Sequence, residues 1–253
     1  MEENRVPNPN DPAKNNDIDA GISTGHGDWR RAALGLLLLV PVPTIGVASA
    51  MVLWEGPVGQ GIYAAAKLWL FIFPAAWYLL VERGRLSFSP ARKGGWGMAV
   101  LTGVGISAVI VLAGWLAAMF GLVDPALMRA EAEENGIGAW PAYLGLAVYA
   151  TLINALIEEY VYRWFIFRQW AQITSARIAV VLAAVCFTIH HVIALKVQFG
   201  WTATILGSLG VFIGGLVWSW MYARYRSIWP CYVSHAIVDV AVFGVGAWLI
   251  FAA

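Results

Sequence analysis

Seven apolar stretches follow one another along the chain, at about residues 32–54, 61–80, 96–122, 141–168, 178–195, 203–222 and 228–251. Each is long enough, or nearly so, to cross a hydrocarbon layer of about 30 Å as a helix. Polar punctuation separates them. Glu55 to Gly59 forms a turn, and a basic loop carries Arg83, Arg85, Arg92 and Lys93. A polar stretch over 124–140 holds Glu131, Glu133 and Glu134 and is expected as a short interfacial helix, or as an eighth element if it dips into the bilayer. The pattern predicts an all-α fold, a polytopic transmembrane helix bundle of about seven, possibly eight, helices. Residues 1–28 are polar, rich in Asn, Asp, Pro and Gly, and lack the apolar core of a signal peptide. They are expected as a disordered cytoplasmic tail. Residues 29–253 then form a single transmembrane domain.

Composition agrees. Hydrophobic residues make up 60% and charged residues 12%, with a mean hydropathy of +0.69. A soluble domain of this length carries far more surface charge. The net charge of +1 is not gathered into a basic face, so no nucleic-acid partner is expected. Cys186 and Cys231 lie in apolar segments, with no disulfide or zinc-finger spacing, and read as small buried hydrophobes. With the N-terminus inside and the spans alternating, thirteen Lys and Arg residues fall on the cytoplasmic side. Only Arg129 and Lys196 fall outside, while Lys67 lies in the second span and is expected to snorkel to the interface. This asymmetry predicts a cytoplasmic N-terminus, in a multi-pass protein of a bacterial inner membrane.

Of fifteen acidic residues, three lie inside the predicted hydrocarbon: Glu158, Glu159 and Asp239. His190, His191 and His235 lie there too, while His26 does not. A charged side chain at mid-bilayer costs about 2.5–3.5 kcal/mol on insertion scales, so such residues are read as functional by default. Glu159 and Arg163, four apart, face each other on one helix and can neutralise each other. Glu158 points about 100° away from Glu159, has Tyr162 four residues on, and needs a partner from another helix. Phe187 and His191 share a face, as do His235 and Asp239. Lipid offers no hydrogen bonds, so Glu158, His191 and His235 are expected to converge on one wet cavity. His190 is expected to face elsewhere, as a structural residue or as one that supports the site from behind. Depth fits less well. At about 1.5 Å per residue, Glu158 lies roughly 15 Å from Arg168, His235 roughly 12 Å from Ser227, and His191 roughly 21 Å from Arg177. The fifth span must therefore tilt or start late.

Three patterns occur in order. Glu158-Glu159-Tyr160-Val161-Tyr162-Arg163 fits E-E-x-x-x-R, Phe187-Thr188-Ile189-His190-His191 fits F-x-x-x-H, and His235-Ala236-Ile237-Val238-Asp239 fits H-x-x-x-(N/D). Together they resemble the CPBP family of type II CAAX prenyl endopeptidases and bacteriocin-processing or immunity proteins. The resemblance covers about 140–251; the N-terminal half matches only as generic apolar helices. It implies that Glu158 is the catalytic glutamate and that His191 helps it hold and activate a water. It also implies that His235 and Asp239 stabilise the oxyanion, with Glu159, Arg163 and Phe187 in support. Many members carry Asn where this chain has Asp239, which must then be protonated or orient His235.

Hydrolysis of a peptide bond needs a base for the water and donors for the developing oxyanion, and these residue types supply both. No cofactor is expected. H-E-x-x-H is absent; the alternative, zinc, would take Glu158, His191 and His235 as ligands. The expected partners are the lipid bilayer and a membrane-associated peptide or protein substrate. Two other classes use similar residues: a non-catalytic immunity or assembly protein of the same fold, and a proton-coupled transporter. Transporters usually show paired repeats, whereas here the chemistry sits in one half.

Overall fold

The computed structural model describes residues 29–252 except 55 and 86, so the N-terminal segment 1–28 and His26 lie outside the described residues. Seven helices are long and apolar enough to cross a membrane: α1 (Trp29–Leu53), α2 (Pro57–Leu80), α3 (Trp96–Met119), α5 (Trp140–Ile173), α6 (Ala176–Gln198), α7 (Trp201–Tyr225) and α8 (Ile228–Phe251). They coincide with the seven apolar stretches to within a few residues. The polar stretch forms α4 (Pro125–Glu134). Asp124 caps it by accepting from the backbone N–H of Ala126, and Pro125 opens its first turn. Ten residues of helix rise about 15 Å, too short to cross. The described residues form a seven-span bundle with one short extra helix.

Local sequence sets where the helices bend and meet. Pro41 and Pro43 interrupt α1, which ends in a wide π-helical turn over Ser49–Leu53. Gly59 then lets α2 return against that turn, since a Cβ there would sit 2.1 Å from the Trp54 carbonyl oxygen. α6 lies along α7 and α8 along α3. The 81–95 loop is pinned to the start of α8: Ser227 Oγ donates to the Ser89 carbonyl and Trp229 Nε1 to that of Phe88. At the end of α5, Arg168 pairs with Glu82 at 2.9 Å.

The outer face of the bundle is apolar: Leu37, Leu101, Val109, Leu112, Ile205 and Val240 are all exposed. A soluble monomer does not leave such a belt to water. The interior is the reverse. Among its largest fully buried side chains are Arg163, Tyr162, Gln169 and Glu159, beside Phe165, Phe167 and Phe187. Arg163, one of the thirteen basic residues counted on the cytoplasmic side, is core, which leaves the sequence tally at twelve to two.

Candidate active site

The first motif sits in an irregular part of α5. A π-helical turn over Ala150–Asn154 precedes it, one regular α-turn over Ala155–Glu158 carries Glu158, and a second π-helical segment runs over Glu159–Phe167. Such widened turns recur at functional sites. Here they bracket the paired glutamates, which part company. Glu159 is fully buried, whereas Glu158 lies on a cavity wall with its side chain 12% exposed.

His235 of α8 stands between the two carboxylates. Its Nδ1 is 2.9 Å from Glu159 Oε1. Its Nε2 is 3.7 Å from Glu158 Oε2 and 3.6 Å from Asp239 Oδ1. A carboxylate only accepts, so the contact with Glu159 places a proton on Nδ1 and turns Nε2 toward Glu158 and Asp239. The ring is held from both sides: it stacks on Trp218 at 3.9 Å and meets the edge of Phe187 at 6.0 Å. Trp218 is fixed in turn by Nε1 donating to Ser234 Oγ.

His191 of α6 donates from Nδ1 to the Phe187 carbonyl at 2.8 Å. That bond leaves Nε2 as a free acceptor for a water, a substrate group or a metal. Phe187 packs against His191 at 4.6 Å and beneath the Arg163 guanidinium at 4.7 Å. Arg163 Nε lies 3.3 Å from Glu159 Oε2, and Trp218 covers the guanidinium from another side. Its two Nη atoms, buried, lack hydrogen-bond acceptors among the described residues.

Glu158, His191, His235 and Asp239, drawn from three helices, are thus brought together, with Glu159, Arg163 and Phe187 beneath them. His191 reaches the group although α6 begins at Ala176, before the expected position, so a late start of the helix does not explain the convergence.

Three expectations need correction. His190 does not face elsewhere. It lies on the cavity wall, its Nδ1 is 3.1 Å from the Tyr162 hydroxyl, and its ring stacks on that of Tyr162. Adjacent side chains on a helix diverge by about 100°, and it is His190, not His191 or His235, that lines this cavity with Glu158, contrary to the expected convergence of Glu158, His191 and His235 on it. The set of carboxylate and imidazole atoms lying within 4.8 Å of one another is Glu158, His190 and His191, and His235 is not in it. Lys67 does not snorkel outward. It stands about 15 Å along α2 from Pro57, deep in the span, and Nζ turns inward to donate to Asn154 Oδ1 at 2.5 Å. Glu159 is no mere counterion to Arg163, because it also holds His235.

Some site residues carry no motif. Trp218 and Tyr162 look like ordinary apolar positions of a span. Asn154, four residues before Glu158 and also in electrostatic reach of it, could have been marked as a polar residue in an apolar stretch. No curated protein and no solved structure matches the chain. Residues 140–241, which hold all three motifs and every carboxylate and imidazole of the site, match the family described as type II CAAX prenyl endopeptidase Rce1-like.

Proposed function

We propose that the protein is an intramembrane endopeptidase that hydrolyses a peptide bond of a membrane-associated protein or peptide. The observation that carries the reading is the meeting of side chains from three spans at Glu158, which clusters with His191 within 4.8 Å, lies 3.7 Å from His235 Nε2, and lines a cavity. The family matched by residues 140–241 is a protease family, and this supports it.

In this reading a water sits between the Glu158 carboxylate and the free Nε2 of His191. Glu158 takes a proton from the water as its oxygen bonds to the scissile carbonyl carbon. His235 serves as an imidazolium, donating Nδ1–H to Glu159 and Nε2–H to the oxyanion, while Asp239 orients it. When the intermediate collapses, the C–N bond breaks and the proton held by Glu158 passes to the leaving amine. Loss of cleavage in Glu158→Ala at normal protein level is the expected result. Undiminished cleavage would place the chemistry elsewhere.

A zinc reading has its own support, since one carboxylate and two imidazoles within 4.8 Å are a donor set zinc accepts. Glu158, His190 and His191 would hold the ion, which would polarise a water or the carbonyl. We propose the metal-free mechanism, because it uses His235 and Asp239, which lie outside that trio. Purified active protein is expected to contain far less than one zinc per chain and to keep its activity in chelator. Chelator inhibition reversed specifically by zinc would establish the second reading.

The proposed setting is a bacterial plasma membrane with the N-terminus in the cytoplasm. The 83–93 loop then lies inside and the 124–138 stretch outside. Native Cys186 and Cys231 are buried, so single cysteines introduced into each loop report cleanly. Labelling of the first from the cytoplasmic side only, and of the second from the opposite side only, is expected. Labelling of both from one side would break the seven-span topology.

A further inference from the structure

The family match leaves the N-terminal half without a role, yet that half walls the cavity. Tyr63, Lys67 and Leu70 of α2 line it together with Glu158 and Tyr162 of α5 and His190 of α6. Lys67 is the cation among them. One of its three protons goes to Asn154, and the Tyr63 ring lies 5.4 Å from Nζ. No carboxylate lies within ion-pair distance of Lys67 among the described residues. Glu158 is in electrostatic reach of Lys67 but beyond ion-pair distance; a positive charge held deep in a span at that remove is costly, and a conformation that keeps it in an active-site cavity has a ligand of opposite sign to gain. We propose that Lys67 binds a carboxylate of the substrate and thereby positions the scissile bond over Glu158.

This inference rests on the peptidase reading and extends it to the kind of substrate the site takes. Asn154 reaches both Lys67 and Glu158, so one side chain spans the gap between anchor and base. At about 3.4 Å per extended residue, the carboxylate lies within about two residues of the scissile bond. Its source is either the substrate's own C-terminus or an Asp or Glu side chain. A charge-assisted hydrogen bond at a site screened from water gives it strong preference over the corresponding amide. Lys67 takes no part in bond making, so its loss should weaken binding far more than turnover.

The test separates binding from cleavage. Peptides from a bacterial membrane fraction, with carboxyl groups free or converted to methylamides, are passed over immobilised Glu158→Gln protein in nanodiscs. Retention of the free form at least tenfold above the amide form is expected, along with loss of that preference in Glu158→Gln/Lys67→Met and its survival in Glu158→Gln/Lys67→Arg. Synthetic copies of retained peptides, amidated at the C-terminus alone or with Asp and Glu changed to Asn and Gln, then identify which carboxylate is held. In the otherwise native protein, Lys67→Met is expected to raise KM for the free form at least tenfold with kcat within threefold. Equal retention of both forms, or a preference that Lys67→Met leaves intact, would overturn the proposal. So would an equal fall in kcat for acid and amide substrates, which is the signature of a structural role. Because retention needs no turnover, selective retention without cleavage by the native protein would count against the peptidase reading alone.

Discussion

Glu158→Gln is expected to lower peptidase activity at least ~100-fold, within the range for loss of a general base, while the protein still accumulates and melts as the native form does. Gln keeps the size and most hydrogen-bonding capacity of the side chain but cannot take a proton from water. The fold should tolerate it. Glu158 lies on the cavity wall, and its nearest ionic neighbour, His235 Nε2, is 3.7 Å away, beyond a good hydrogen bond. Its other polar neighbours, His191, Lys67 and Asn154, are within its electrostatic reach without forming an ion pair to it. Specific activity per folded molecule, with melting temperature alongside, is the measurement.

The neighbouring Glu159→Gln should behave differently. Glu159 is fully buried, pairs with Arg163, and accepts from His235 Nδ1. Removing its charge leaves the Arg163 guanidinium buried, with Nη atoms that already lack acceptors. Breaking a buried pair from one side costs about 3–5 kcal/mol, enough to lower both protein level and melting temperature. Activity per folded molecule should fall as well, because His235 loses the carboxylate that fixes its proton. Glu159→Gln/Arg163→Met removes both charges and is expected to regain part of the stability but little of the activity. Full activity in Glu158→Gln, combined with an inactive but stable Glu159→Gln, would exchange the roles and make the second glutamate the base.

The spans were legible because crossing a membrane demands a continuous apolar run, and the chain supplies seven between polar breaks. The site's members were legible for the opposite reason, as ionisable residues where none is expected. What could not be read was direction. A regular helix of 100° per residue parts His190 from His191 without telling which of them lines the cavity, and pairs Glu159 with Arg163 alone. The wide turns around Glu158, and the approach of α6 and α8 from different angles, are tertiary facts that no local pattern encodes. Lys67 was visible, but its partner, Asn154, lies 87 residues away. A lone lysine within a span reads as snorkelling until that contact is known. Trp218 gave no signal, because a tryptophan stacked on an imidazole looks like any other tryptophan in an apolar helix.

The central claim is that Glu158 drives addition of water to a peptide bond inside the membrane domain. The most direct measurement uses the purified native protein in nanodiscs, a membrane-derived peptide mixture and water enriched in ¹⁸O, with mass spectrometry of the products. Native protein should release fragments whose new C-terminal carboxylates carry one ¹⁸O, and Glu158→Gln should release almost none. Fragments labelled equally by both proteins, or no labelled fragments from the native protein, would contradict it.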